Sequence, residues 1–571
     1  MPSPPVTVAE IVARFVAARA ADRVFGLQGG HIQPIWDQLV RLGVPVIDAR
    51  DERAAVHMAH AYGELTGRLG VALVTAGPGV TNAVTGVANA HAARAPLLVI
   101  GGAPPRPQDG LGALQALPHV ALMRPITRFA ETARVPEQVP RLLDRACAAA
   151  AGEGGAPGPA FVEVPTDVLR AAVPDAMVLA EHFAARAPRR RAPDAGLAAD
   201  AAQLVWAARR PLVISGRGAR GAGRALVRLL DASGAVHLDT QDCRGVVADD
   251  HPASVGAVRA RAMAEADLVL LAGRRLDYQL GYGSPAVLPN ATLVRVSDLV
   301  EELADNRRGA VELHADVAAG LDAITDAAGN AVPAADRTWT KALRAEHEAR
   351  RASLAETMAS APAGEDGFMH PYRLIGAVNA ALDAEAVVAV DGGDILSFAR
   401  IALRDCRYLD PGPLGCLGVG VPFAVAAALA CPGRKVVALT GDGAFGFNAL
   451  ELDTAARHGA RAVFIVANNG AWNIEAYDQK VNWSGRLNGS LLRRSDYAGL
   501  ARALGLHAER IEDPDALPAA LARAFADAPA LLDVQVTRDA VSPDGRSGLA
   551  AVPDLQPLAT WDAAERARRG S

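Results

Sequence analysis

The stretch GDGAFGFNALELDTAARHGARAVFIVANNGAWNIE, residues 441–475, opens with a glycine-flanked aspartate at the end of one apolar run and carries two asparagines at the end of another. A short β-branched run, a glycine turn, an alanine-rich amphipathic stretch and a second β-branched run read as a βαβ unit, with parallel strands buried on both faces. In open parallel sheets ligands bind outside the carboxyl ends of the strands. Asp442 and the pair Asn468/Asn469 stand at such ends and can converge on one ligand. Carboxylate and amide oxygens suit a hard divalent cation, and Mg²⁺ usually keeps phosphate oxygens in its remaining positions. Gly443 and the helix start after it would offer N–H groups and a positive dipole to those phosphates. Taken singly, a GDG is a turn and an NN a helix cap, so the argument rests on their combination.

The same rhythm runs in both directions from this stretch. Toward the N-terminus, RVFGLQGG (23–30), VPVIDAR (44–50), GVALVTAGPG (70–79), APLLVIGG (95–102) and PAFVEVP (159–165) alternate with alanine-rich helical segments. After AARAPRRRAPDAG (184–196), read as a linker, the pattern resumes with RPLVISGRGARGAG (210–223), ADLVLLAGRR (266–275) and ATLVRVSD (291–298). AVVAVDGGD (386–394), KVVALTGDG (435–443), ARAVFIVANN (460–469) and PALLDVQVT (529–537) form a third set. The expected fold is α/β, three doubly wound parallel-sheet domains in series. Their bounds are 1–183, 197–335 and 371–541, with linkers at 184–196 and 336–370, the second helical, and an arm at 542–571.

Composition bounds the function. The 571 residues can bury several cores, and a net charge of −5 argues against a nucleic-acid footprint. No apolar run reaches membrane-spanning length and the first residues lack a signal-peptide pattern, so the expectation is a cytoplasmic protein without a membrane partner. Five cysteines, scattered and without CxxC spacing, speak against a disulfide frame or a zinc site.

GDG, 24 residues, then NN resembles the diphosphate-binding signature of thiamine diphosphate (ThDP) enzymes, and the likeness extends over essentially the whole chain. It is similar to the branch that holds the 2-hydroxyacyl-CoA lyases, oxalyl-CoA decarboxylases and acetohydroxyacid synthases. The resemblance implies a pyrimidine-binding domain, a central Rossmann-like domain and a diphosphate domain, in that order. It implies Asp442 and Asn469 as side-chain Mg²⁺ ligands, with Ala471 giving a backbone carbonyl. It also implies a carboxylate that protonates N1′ of the aminopyrimidine. In IDARDERAAVHMAHAYGELTG (47–67) Glu52 takes that position, with Asp51 where many relatives have His. Gly79, Asn82, Asp394, Gly443, Ala444 and Asn473 are implied cofactor contacts. Leu417, in PGPLGCLGVGVPFA (411–424), holds the place of the bulky residue that bends the cofactor into its V shape.

Six further positions concern the substrate. His31, in FGLQGGHI, and Gln115, in GALQALPHV, match residues that related enzymes point at the cofactor. Glu475, six positions beyond Asn469, matches an active-site acid/base of pyruvate-decarboxylase-type relatives and is the expected proton-transfer group. In the central domain the segment around ADLVLLAGRRLDYQLGYGSP is similar to the CoA-using members, which makes Arg217, Arg275 and Asp298 candidates for the ADP part of CoA or for ADP as a bound nucleotide. The implied activity is a 2-hydroxyacyl-CoA lyase on a short or branched acyl group, 2-hydroxyisobutyryl-CoA among the candidates. The competing expectation is a CoA-independent 2-oxo acid decarboxylase or carboligase. The resemblance further implies a homodimer or a homotetramer.

Overall fold

The computed structural model describes residues 5–547 except 20–21, 154, 176–177, 179, 185–188, 241–242 and 405, together with positions 563 and 567. Residues 185–188 of the first linker and nearly all of the C-terminal arm therefore lie outside the described residues.

The chain folds into three parallel α/β domains. The first sheet has six strands in the spatial order Val46–Asp48, Val24–Gly26, Gly70–Val74, Leu97–Ala103, Pro159–Pro165, Phe129–Thr132. The third also has six, in the order Arg407–Leu409, Val387–Asp391, Val436–Gly441, Val463–Asn468, Ala530–Gln535, His507–Ile511. Numbered along the chain, both orders read second, first, third, fourth, sixth, fifth. The central sheet has five strands and its own two apolar clusters. Its middle strands Pro211–Ser215 and Leu268–Ala272 are buried throughout, as β-branched and leucine runs in a doubly covered sheet should be. A short antiparallel pair, Pro5–Thr7 with Ala172–Pro174, closes the first domain.

Two helices decide where the domains sit. Helix Glu52–Thr66 lays an alanine face against helix Gly420–Ala430 of the third domain, with His57 and His60 edge-on to Phe423. One continuous apolar cluster therefore spans the first and third domains. At its other end the same helix carries Glu64, its side chain 5% exposed and ion-paired with Arg217 and Arg220 of the central domain. Burial alone would raise the Glu64 pKa, but the two guanidiniums hold it well below the carboxylate range. Helix Arg337–Ser360 carries the chain from the central to the third domain, placing Trp339 and Leu343 in one core and Met358 in the other.

Candidate cofactor and active site

Strands Val436–Gly441 and Val463–Asn468 are hydrogen-bonded neighbours, with Gly441 opposite Ala467, so their carboxyl ends lie side by side. Asp442 opens the helix Asp442–Asn448 and is 2% exposed, and its Oδ2 accepts the Gly470 N–H at 3.0 Å. Asn469 Oδ1 accepts the Ala471 N–H at 2.9 Å. The two amides of the pair part company. Asn468 Nδ2 turns inward to Asp533 Oδ1 and the Ser495 carbonyl and holds the sheet together, leaving Asn469 to the surface of the site.

These ends open into a cavity of about 250 Å³ lined by Asp394, Leu417, Asp442, Gly443, Ala444 and Asn469, and also by Ala471, Asn473 and Glu475. A Cβ on Gly443 would come within 2.5 Å of the Trp472 ring, so the backbone there can approach a ligand only as glycine. Asn473 Nδ2 donates to Asp394 Oδ2 at 3.1 Å, and burial pushes both Asp394 and Asp442 up to about 6. A buried carboxylate with that penalty, beside an amide oxygen and a backbone carbonyl, is the all-oxygen donor set of a hard divalent cation. The residues present thus fit a metal-held diphosphate. Among the described residues no cluster of three His, Cys, Asp or Glu offers another metal set.

The half expected to take the pyrimidine is built at the first sheet. Glu52 is the first residue of its helix and 5% exposed, capped by Asp51, whose side chain accepts the Arg53 N–H. Asp51 therefore acts as the N-cap of this helix. Asn82 Nδ2 donates to Glu52 Oε2 at 3.0 Å, and Gly79 lies so close that an added Cβ would stand 3.3 Å from Glu52 Oε1. Backbone N–H of Arg50, just before this helix, donates to Glu451 of the third domain at 3.0 Å. Burial, the largest cause, lowers the His31 pKa; the Gln115 side chain beside it opposes that shift, and the nearby His119 adds to the lowering. Of these residues none lines the cavity around Asp442.

Sequence reasoning missed one element here. His119, 1% exposed, accepts the Gly77 N–H on Nε2 at 2.8 Å and pairs through Nδ1 with Glu163 Oε2 at 2.6 Å. No motif announces it, because its partners lie 42 and 44 positions away in sequence.

Family models of the thiamine pyrophosphate enzymes match this arrangement domain by domain: the N-terminal TPP binding domain over residues 6–122, the central domain over 198–324 and the C-terminal TPP binding domain over 393–534. Acetolactate synthase large subunit IlvG of Mycobacterium tuberculosis is 36% identical over 96% of this chain and 99% of its own length. The chain belongs to the thiamine pyrophosphate enzyme family. Other relatives are 2-hydroxyacyl-CoA lyase 2 of Caenorhabditis elegans, 32% identical over 89% of this chain and 85% of its own, and 2-hydroxyacyl-CoA lyase 1 of Mus musculus, 29% identical over 93% and 94%. It is accordingly a thiamine-diphosphate-dependent enzyme acting on carbon–carbon bonds.

In this thiamine pyrophosphate enzyme a second, larger cavity of about 570 Å³ opens where the first and central domains meet. Arg217 and Arg275 stand in its wall, joined by Arg94 and Arg128 from the first domain. Asp298, expected beside them, does not line it. It takes the Arg94 guanidinium through both oxygens at 2.8 Å and so ties the two domains together. Arg94 and Arg128 carried no sequence signal, since only the docking of two domains turns them toward a common space.

Proposed function

We propose that the chain is a 2-hydroxyacyl-CoA lyase that cleaves the C1–C2 bond of a short or branched 2-hydroxyacyl-CoA to formyl-CoA and an aldehyde or ketone. The observation that carries this reading is the interdomain cavity, separate from the cofactor cavity and of a size for a nucleotide, whose wall mixes Arg94, Arg128, Arg217 and Arg275 with the carboxylates of Glu153 and Glu301. Arginine forks suit the phosphates of CoA, or of an ADP bound in its place. The relatives named as 2-hydroxyacyl-CoA lyases support the substrate class.

Bound thiamine diphosphate supplies an electron sink for the bond that breaks. In this reading Asp442, Asn469 and the Ala471 carbonyl hold Mg²⁺, and Gly443, Ala444, Asp394 and Asn473 surround the diphosphate. Glu52, steadied by Asn82 and packed on Gly79, holds a proton against N1′ of the pyrimidine. Leu417, in the wall of the same cavity, would give the cofactor apolar support. Glu475, at the solvent side of the same cavity, moves the proton to and from the substrate hydroxyl, and His31 with Gln115 orients the carbonyl. Because Glu52 does not line the cavity of Asp442, a second copy of the chain would bring the two halves together, which supports a homodimer or a homotetramer.

One observation favours a second reading, a CoA-independent 2-oxo acid decarboxylase or carboligase: the 36% identity to a relative named acetolactate synthase. The two separate in one assay. Enzyme loaded with ThDP and Mg²⁺ is given 2-hydroxyisobutyryl-CoA, straight-chain 2-hydroxyacyl-CoAs and pyruvate in parallel. Formyl-CoA with acetone or an aldehyde, seen by mass spectrometry, is expected; acetolactate from pyruvate with no formyl-CoA from any thioester overturns the lyase.

A further inference from the structure

The loop that carries Gln115 is exposed over most of its length, with Leu111, Leu114 and Leu117 between 49% and 79% accessible. Gln115 itself sits at a φ of +63°, a left-handed conformation that costs a non-glycine residue energy and persists only where neighbours enforce it. Its enforcement comes from Gly77. A Cβ on Gly77 would stand 2.7 Å from the Gln115 Cβ and 3.0 Å from its Cα, so the two backbones meet there without an intervening side chain. Gly77 has a φ of +60° and a ψ of −113° as the N-cap of helix Pro78–Ala92, which leaves its N–H pointing away from the helix. That N–H is taken by His119 Nε2 in a fully buried bond. A ring nitrogen that accepts carries no proton, so Nδ1 bears the hydrogen and gives it to Glu163. The other oxygen of Glu163 accepts from Thr132 Oγ1 at 2.8 Å, on the adjacent strand. Glu163 is thus rooted in the sheet, His119 is fixed in one tautomer by Glu163, and Gly77 is fixed by His119.

From this we infer that His119 and Glu163 are positioning residues: they lock the turn at residues 77–79 and, through Gly77, hold Gln115 against His31 at the pyrimidine half of the site. Neither touches the cofactor cavity. His119 ends the short stretch that begins at Gln115, so one side chain pins the far end of the loop and the surface on which its functional residue rests. Gly79, in the same turn, is the neighbour of Glu52, but Glu52 has its own anchors in Asn82 and the helix start. Loss of His119 should therefore displace Gln115 more than Glu52.

The inference rests on the role given to Gln115 above, and the test separates the two. The full-length enzyme with ThDP and Mg²⁺ is compared as His119→Leu, His119→Gln, Gln115→Ala and the double variant His119→Leu/Gln115→Ala. A buried His–Glu bond of this length gives a far-downfield imidazole proton in the NMR spectrum of the cofactor-free protein; it is expected in the wild type and absent from His119→Leu and from Glu163→Gln. His119→Leu should lower kcat by roughly tenfold to a hundredfold, the cost of a misplaced positioning group, with the ThDP Kd within about twofold of wild type. The double variant should lose no more than the worse single one, because both act through Gln115. His119→Gln, whose amide can accept from Gly77 and donate to Glu163, should recover most of the rate and keeps the test open where the leucine variant folds poorly. Multiplying losses in the double variant, or a wild-type kcat in His119→Leu, overturns the inference. A wild-type kcat in Gln115→Ala overturns instead the substrate-facing role of Gln115.

Discussion

The first and third sheets share one strand order, yet the turns after their third strands do opposite things. After Gly70–Val74 the chain makes an uncharged glycine turn, residues 77–79, against which Glu52 arrives from the helix that follows the edge strand Val46–Asp48. After Val436–Gly441 the corresponding turn carries its own carboxylate, Asp442, and the neighbouring strand brings an amide. A doubly wound sheet fixes where ligand-facing turns lie, while the residues on them decide what is bound. In the third domain acid and amide oxygens gather at the strand ends, the set proposed above to hold a cation and a diphosphate. In the first, a single acid is kept near glycine and an amide, the setting for a proton held at a ring nitrogen.

Breaking the third-domain turn should have the largest effect. Asp442→Ala removes the carboxylate that accepts the Gly470 N–H between Asn469 and Ala471, and activity should fall to background while the thermal stabilisation by ThDP with Mg²⁺ disappears, a scanning-fluorimetry measurement. Breaking the first-domain turn should divide binding from chemistry. Glu52→Gln should lower kcat by about 10²–10⁴-fold, the range of a lost acid–base group, yet retain most of the cofactor-induced stabilisation. Equal loss of binding in both variants would erase the contrast between the two halves.

The smallest effect concerns the contact between them, Glu451. Burial, the largest cause, pushes its carboxyl up to about 7 from an ordinary 4.5, and it accepts the Arg50 N–H next to Glu52. A raised pKa in the folded state stabilises fully below the unfolded value and is lost as pH rises through about 7. Glu451→Gln does not titrate, so its melting temperature should be level with or below wild type at acidic pH and gain on it by a few degrees in mildly alkaline buffer. A constant offset across that range would show that Glu451 does not carry the pH dependence.

How much of this was legible in the sequence depends on where a residue sits. Covered strands such as Leu97–Ala103 and Gly70–Val74 announce themselves as unbroken apolar runs, because both faces are buried. Phe129–Thr132, Val236–Asp239, Val311–His314, Arg407–Leu409 and His507–Ile511 gave no such signal, and each is a sheet edge. Edge strands admit polar side chains, so HAERI does not stand out from loop sequence.

By itself the sequence determined the three α/β domains, their order, and the residues spaced along single βαβ units: Asp442 with Asn469, and Glu52 at the start of its helix. Local spacing is enough there, since strand periodicity and helix starts are set by nearest neighbours in the chain. Tertiary structure decided what depends on distant segments meeting. It set Asn468 into the sheet and Asn469 toward the cavity, turned Asp298 to Arg94, joined Arg217 and Arg275 to Arg94 and Arg128, and buried His119 between Gly77 and Glu163. Those outcomes are fixed by packing between elements far apart in the chain, for which a linear pattern carries no term.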